Sequence, residues 1–210
     1  MTTTATESPT THADAPAGVA APAGRTAAST VPLHPLLAER WSPRAYRPGH
    51  PLTTDEATAL LEAARWAPSR SNGQPGRYVL AQHGEPAFAA VTGALKPTNA
   101  LWASRASALV VALAPTDGDP LHRGFDLGLA VGHLVVQATA LGLHARQMAG
   151  FFPDALHTAL DLPADLVPVV VVAVGHRDDP AALDTDLHAR EHAPRSRLPL
   201  EDVVVQVRPR

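Results

Sequence analysis

Apolar positions recur along the chain with two spacings, one helical and one of buried strands. Leu33, Leu36 and Leu37 form a short helical stripe that ends before Pro43. Thr53 and Glu56 form the S/T-x-x-E pattern that caps a helix start. Behind them Ala57, Leu60, Leu61 and Ala64 repeat at helical spacing until Pro68 stops the helix. The run Arg70-Ser71-Asn72-Gly73-Gln74-Pro75-Gly76 is turn chemistry throughout; residues 78–81 then read as a strand and 86–95 as a helix. Residues 108–114 and 169–174 are short, continuous runs rich in Val and Leu, the pattern of strands buried on both faces, which helices must cover. Residues 123–143 are apolar nearly all round but interrupted by Gly128, Gly132, His133, Gln137 and Thr139. A membrane span needs about 20 mostly apolar residues, so the segment reads as a buried helix, with His133 a core histidine. Gly128 and Gly132, four apart, predict the close approach of another helix. Residues 152–160 read as an amphipathic helix and 203–207 as a Val-rich strand. This succession predicts an α+β or α/β sheet flanked by helices.

Composition narrows the picture. The 210 residues, 45% hydrophobic and 18% charged, fit one domain. All but six of the first thirty residues are Ala, Thr, Pro, Ser or Gly, a composition that cannot offset the entropy of ordering its backbone. The expected organisation is a disordered tail over residues 1–30 and one folded domain over 31–210. Residues 1–30 lack the basic and apolar regions of a secretory signal, which makes a cytoplasmic protein the expectation. A net charge of −3 argues against nucleic-acid binding, so a bound anion must be held by a local cluster of charge. Without cysteine there is no disulfide, thiolate metal site or thiol nucleophile, and redox chemistry requires a borrowed cofactor.

Several motifs fail. His188-Ala189-Arg190-Glu191-His192 matches H-x-x-E-H, but it lies in a Pro-flanked tail, and 11 histidines make chance pairs common; we read it as accidental. G-x-G-x-x-G, G-x-x-x-x-G-K-[ST] and G-x-S-x-G are absent. Arg40-Trp41-Ser42-Pro43-Arg44, by contrast, sets two guanidinium groups around a hydroxyl, and Arg195-Ser196-Arg197 repeats that chemistry far along the chain. Guanidinium forks bind phosphate oxygens in pairs. Spacing alone fits an oxyanion cradle or two solvated charge runs.

These pieces resemble, in order, the nitroreductase family of FMN-dependent oxidoreductases, from Leu33 to Val205. Arg40, Ser42 and Arg44 match its R-x-S-x-R/K element, and residues 67–76 stand in place of A-P-S-S-x-N-x-Q-P-W. Ala140-Leu141-Gly142-Leu143, followed by a short strand and Gly150-Phe151, fits the end of the family's long helix. Val174-Gly175-His176 and Pro194-Arg195-Ser196-Arg197-Leu198-Pro199 complete the series. The resemblance implies a three-layer α/β/α fold of the α+β class, with a mostly antiparallel sheet, in an intertwined homodimer. It implies that Arg40, Ser42, Arg195 and Arg197 clamp the FMN phosphate, that Trp41 belongs to the same FMN site and that Arg44 reaches the N1/O2 side of the ring. Asn99 would meet the pyrimidine edge and Ala149-Gly150 the region of N5. Pro68, Ser69, Arg70 and Asn72 would come from the second subunit. A cation near N1 and O2 stabilises the reduced, anionic flavin.

The implied activity is hydride transfer from NAD(P)H to a nitroaromatic, quinone or similar acceptor in a ping-pong cycle, without a protein acid or base. A flavin oxidase or dehydrogenase of a biosynthetic intermediate, or a flavin-storage protein, remain open beside it. Four positions depart from the family pattern: Gly76 stands for Trp, Arg70 for the second Ser, Ala149 for an acidic residue and Trp102 for a basic one, the last removing a charge near the flavin.

Overall fold

The structure, a computed structural model, describes residues 25–207; residues 1–24 of the expected tail lie outside the described residues. The elements are α1 (Pro35–Ala38), α2 (Thr54–Arg65), β1 (Arg77–Gln82), α3 (Pro86–Gly93), α4 (Pro97–Ala103), β2 (Ala108–Pro115), α5 (Pro120–Ala140), β3 (His144–Met148), α6 (Pro153–Ala159), β4 (Leu166–Gly175), α7 (Thr185–His192) and α8 (Leu200–Val203). The strands form one antiparallel sheet in the order β1-β2-β4-β3. The α+β class and the three layers follow from the alternation of the two central strands. Leu109, Val111 and Leu113 of β2, with Val171 and Ala173 of β4, join Phe88, Trp102 and Leu156 on the face covered by α3, α4 and α6. Val110 and Ala112, with Val172 and Val174, join Leu60, Leu127, Leu134 and Val135 on the face covered by α2 and α5. Each strand is buried on both sides, as its unbroken apolar run requires.

Local chemistry starts the helices. The capping box of α2 is complete: Thr53 Oγ1 accepts from Glu56 N–H, while Glu56 accepts from Thr53 N–H at 2.8 Å. Asp119 caps α5 by accepting from Leu121 N–H. Beyond β4 the chain turns back along the segment 45–47. Arg47 N–H donates to the His176 carbonyl and Asp178 N–H to the Ala45 carbonyl, so the residues just before Ala45 are set beside the end of the sheet.

Four expectations are corrected. Residues 203–207 are not a strand: Val203 ends α8, and Val204, Val205 and Val207 are exposed. The segment around His188 and Glu191 is helix α7, begun by Asp184 accepting from Leu187 N–H, rather than an irregular tail. His133 is exposed rather than a core residue, lying outside the arc of α5 that Leu127, Ala130, Leu134 and Val135 bury against the sheet. Among the described residues nothing lies within 4 Å of a Cβ placed at Gly124, Gly128 or Gly132, so any helix that approaches there comes from elsewhere. Residues 25–30, grouped with the tail by composition, include an Ala27 N–H that donates to the Ala38 carbonyl at 2.8 Å.

Candidate functional site

Arg40, Trp41, Ser42, Arg44, Arg195 and Arg197 line one cavity of about 190 Å³, joined there by Arg25, Arg146, Arg190 and Glu191. Two widely separated motifs thus meet. Arg40 Nη1 donates to Ser42 Oγ at 3.1 Å, and Arg195 donates to the carbonyls of Ala38, at 3.2 Å, and of Arg25. Arg25 donates to the Ala193 carbonyl at 2.7 Å and lies 4.8 Å from the Trp41 ring centroid. Arg146 arrives from β3, donates to the Ser42 carbonyl and lies 5.4 Å from the centroid of Trp102.

Seven guanidinium groups therefore face a single carboxylate. Burial lowers the pKa of Arg40, and the charges of Arg195 and Arg197 lower it further. Burial likewise lowers Arg44, with Arg146 adding to the effect and Glu191 opposing it. Arg195 is lowered by burial, then by Arg197 and Arg25. Guanidinium keeps its proton at any ordinary pH, so these groups repel one another while all are charged. Trp41 Nε1 is buried with no hydrogen-bond partner among the described residues. The donor set of the cavity, seven guanidinium groups and the Ser42 hydroxyl around one carboxylate, fits a phosphate group.

A second group forms beyond β3. Asn99 Nδ2 donates to the Gly150 carbonyl at 3.0 Å, and Lys96 N–H donates to the same oxygen at 2.9 Å. A Cβ at Gly150 would lie 2.4 Å from Asn99 Nδ2, so the glycine is what lets the asparagine in. Ala149 precedes it and is exposed.

Pro68, Ser69, Arg70 and Asn72 do not line the arginine cavity. Their loop is fixed elsewhere. Both carboxylate oxygens of Asp126 on α5 accept from Arg70 N–H, at 3.2 and 3.1 Å, and Ser69 Oγ accepts from Gln74 N–H. Ser71, Asn72 and Gln74 have φ of 49, 55 and 47°, a strained arrangement for non-glycine residues. Behind the loop lies a cavity of about 420 Å³ bordered by Leu61, Pro75, Gly76 and Tyr78. A Cβ at Gly76 would lie 2.5 Å from the Tyr78 hydroxyl, which accounts for the missing tryptophan: Tyr78 has taken its space.

Trp102, the position that departs from a basic residue, is a core residue, 1% exposed and stacked on Tyr46 at 6.2 Å, with the Arg146 guanidinium beside its ring. Sequence reasoning also missed Arg25, Arg190 and Glu191. Arg190 and Glu191 lay within the H-x-x-E-H match read as accidental, and the signal available was their closeness to the Arg195–Arg197 pair. His144 packs edge-on to Trp41, and burial, reinforced by Arg177 and His176, lowers its pKa to about 4. Among the described residues no cluster of His, Asp and Glu could hold a metal, and no helix is long and apolar enough to cross a membrane.

The fold, three layers around an antiparallel sheet, is shared with the solved structures it resembles. Residues 37–92 and 84–176 match the sequence profile of the Nitroreductase family. A Streptomyces coelicolor protein named as an NADH dehydrogenase/NAD(P)H nitroreductase is 30% identical over 173 residues, covering 68% of this chain and 83% of that protein. The solved structure of an oxidoreductase containing FMN is 36% identical with a TM-score of 0.78, over 86% of this chain and 94% of that one. A Desulfovibrio desulfuricans nitroreductase solved in complex with FMN shares the fold, at 22% identity and a TM-score of 0.69, over 84% and 99% of the two chains. The chain is a member of the nitroreductase family, an oxidoreductase family.

Proposed function

We propose that the protein is an FMN-dependent oxidoreductase that takes hydride from NAD(P)H and reduces a nitroaromatic, quinone or similar small organic acceptor. The observation that carries the reading is the cavity in which Arg40, Ser42, Arg195 and Arg197 converge. When bound, FMN supplies the two-electron chemistry; the protein supplies binding and placed charge. Arg40, Ser42, Arg195 and Arg197 hold the phosphate, and Trp41 closes the wall beside it. Arg44 and Arg146 extend the positive field from the cradle toward the ring, where charge accumulates on reduction. Asn99 and Gly150 offer a side-chain amide and a close backbone approach for the pyrimidine edge and N5. No side chain is needed as general acid or base.

The loop of Pro68, Ser69, Arg70 and Asn72 completes the site from a second copy of the chain. The open face of α5, with Leu121, Phe125, Gly124, Gly128 and Gly132, is the surface on which that copy docks. Arg70, Phe125 and Asp126 border the same cavity, which joins the docking face to the loop it delivers.

Purified protein reconstituted with FMN is expected to show a flavin spectrum that bleaches on anaerobic addition of NADPH or NADH. Arg40→Ala and Arg197→Ala each remove a charge-assisted contact of about 1.5–3 kcal/mol and lose FMN; undiminished occupancy in both would sink the assignment. The roomy cavity beside Gly76 supports a second reading, a dehydrogenase that accepts electrons from a bulky organic donor. Flavin that stays oxidised under nicotinamide but bleaches with such a donor would favour it.

A further inference from the structure

Glu191 is the one carboxylate in the cradle, and it is 2% exposed. A carboxylate among seven guanidinium groups is expected to take a bidentate fork from one of them. It does not. Oε1 and Oε2 accept instead from the backbone N–H of Arg44, at 3.1 and 3.0 Å, while the nearest approach to the Arg44 side chain is 3.9 Å. Both oxygens are spent on one main-chain donor 147 positions away in sequence. The consequence is that the Arg44 backbone is fixed and its guanidinium is left to face an anion. Glu191 is in turn fixed by α7, where it follows Leu187 by one helical turn on the buried face, and Asp184 caps that helix through Leu187 N–H.

We propose that Glu191 is a positioning residue for phosphate recognition: it sets the register of the Arg40–Arg44 segment against the Arg195–Arg197 segment by holding Arg44 N–H. This rests on the phosphate reading of the cradle and adds a residue that acts through the backbone rather than by touching the ligand. The alternative role, a counter-charge that merely offsets the arginines, makes the opposite demand. A counter-charge needs the negative charge and tolerates a small displacement. A positioning residue needs the reach and tolerates loss of charge, because a glutamine carbonyl still accepts from Arg44 N–H.

The test uses E191Q, which keeps the reach, and E191D, which keeps the charge but is one methylene shorter. FMN and riboflavin are titrated against the full chain by flavin fluorescence, with a thermal melt of each variant. Wild type is expected to bind FMN more tightly than riboflavin, and the ratio isolates the phosphate contribution. E191D is expected to lose roughly tenfold or more of that ratio, on the scale of one charge-assisted hydrogen bond, while riboflavin affinity holds. E191Q is expected to stay within about threefold of wild type. FMN affinity preserved in E191D and raised in E191Q would make Glu191 a counter-charge and overturn the proposal. Equal losses of FMN and riboflavin, accompanied by a lowered melting temperature, would make it a general structural residue and also overturn it. Wild type that does not distinguish FMN from riboflavin would instead overturn the cradle reading itself, and the inference with it.

Discussion

Gly150 is a position where one added carbon has a computable consequence. Its missing Cβ is occupied by the Asn99 amide, and its carbonyl accepts from both Asn99 and Lys96. Gly150→Ala is expected to displace Asn99 and to shift the flavin absorption maximum and redox potential while leaving phosphate-dependent affinity near that of wild type; an unchanged potential by spectroelectrochemistry would contradict the assignment of this pair to the ring. The residues of the cradle divide by how legible they were. Arg40, Ser42, Arg44, Arg195 and Arg197 stand in compact motifs; spacing alone left a cradle and two solvated charge runs open, and the resemblance to the family selected them. Glu191 and Arg146 carry no such signature. An acidic residue in a helix with charged neighbours has the pattern of a solvated face, and only the packing of α7 shows that Glu191 points inward. Arg146 shares its sheet face with Met148, two residues on, and with Trp102, and no local rule predicts a guanidinium on a core-facing position.

Elements were legible where their reasons are local. The capping box and stripe of α2, and the apolar runs of β2 and β4, announce themselves because one helix face or two strand faces must be buried. β3, His-Ala-Arg-Gln-Met, has no alternation of its own and exists because β4 offers it an edge. The opposite failure is residues 203–207, where β-branched residues suggest a strand but no sheet edge receives them, so propensity is not realised. The segment before α1 belongs to the same class of tertiary effect. Its composition is that of a tail, yet Arg25 borders the cradle, its carbonyl accepts from Arg195, and Ala27 pairs with Ala38. A chain lacking residues 1–24 is expected to bind FMN as the full chain does, whereas one lacking 1–30 is expected to bind it several-fold more weakly, by the loss of one cationic contact. Equal affinities in the two truncations, measured by fluorescence titration, would exclude residues 25–30 from the site.

At the scale of the molecule, the sheet is covered on both faces while α5 turns a second apolar face outward. Leu121 and Phe125 are 76% and 65% exposed beside glycines with nothing near them. On the dimer proposed above, a single copy would carry half of two sites: the arginine cradle at one end of the sheet and the strained loop clasped by Asp126 elsewhere. Phe125→Glu is expected to shift sedimentation from dimer toward monomer and to lower FMN occupancy in proportion. A dimer unaffected by the substitution would place the interface on another surface. The cradle also has a consequence for how the protein comes into being. Its two halves leave the ribosome at different times, since Arg44 and Glu191 are separated by 147 positions, so a nascent chain presenting the first half cannot yet hold a phosphate. On the proposed reading of the cradle, cofactor capture is a late event in biosynthesis, and the captured anion would act as a reversible clasp on a very long loop. Cells short of flavin would accumulate chains whose two ends are unlatched, and supply of the vitamin would register first as resistance to proteolysis.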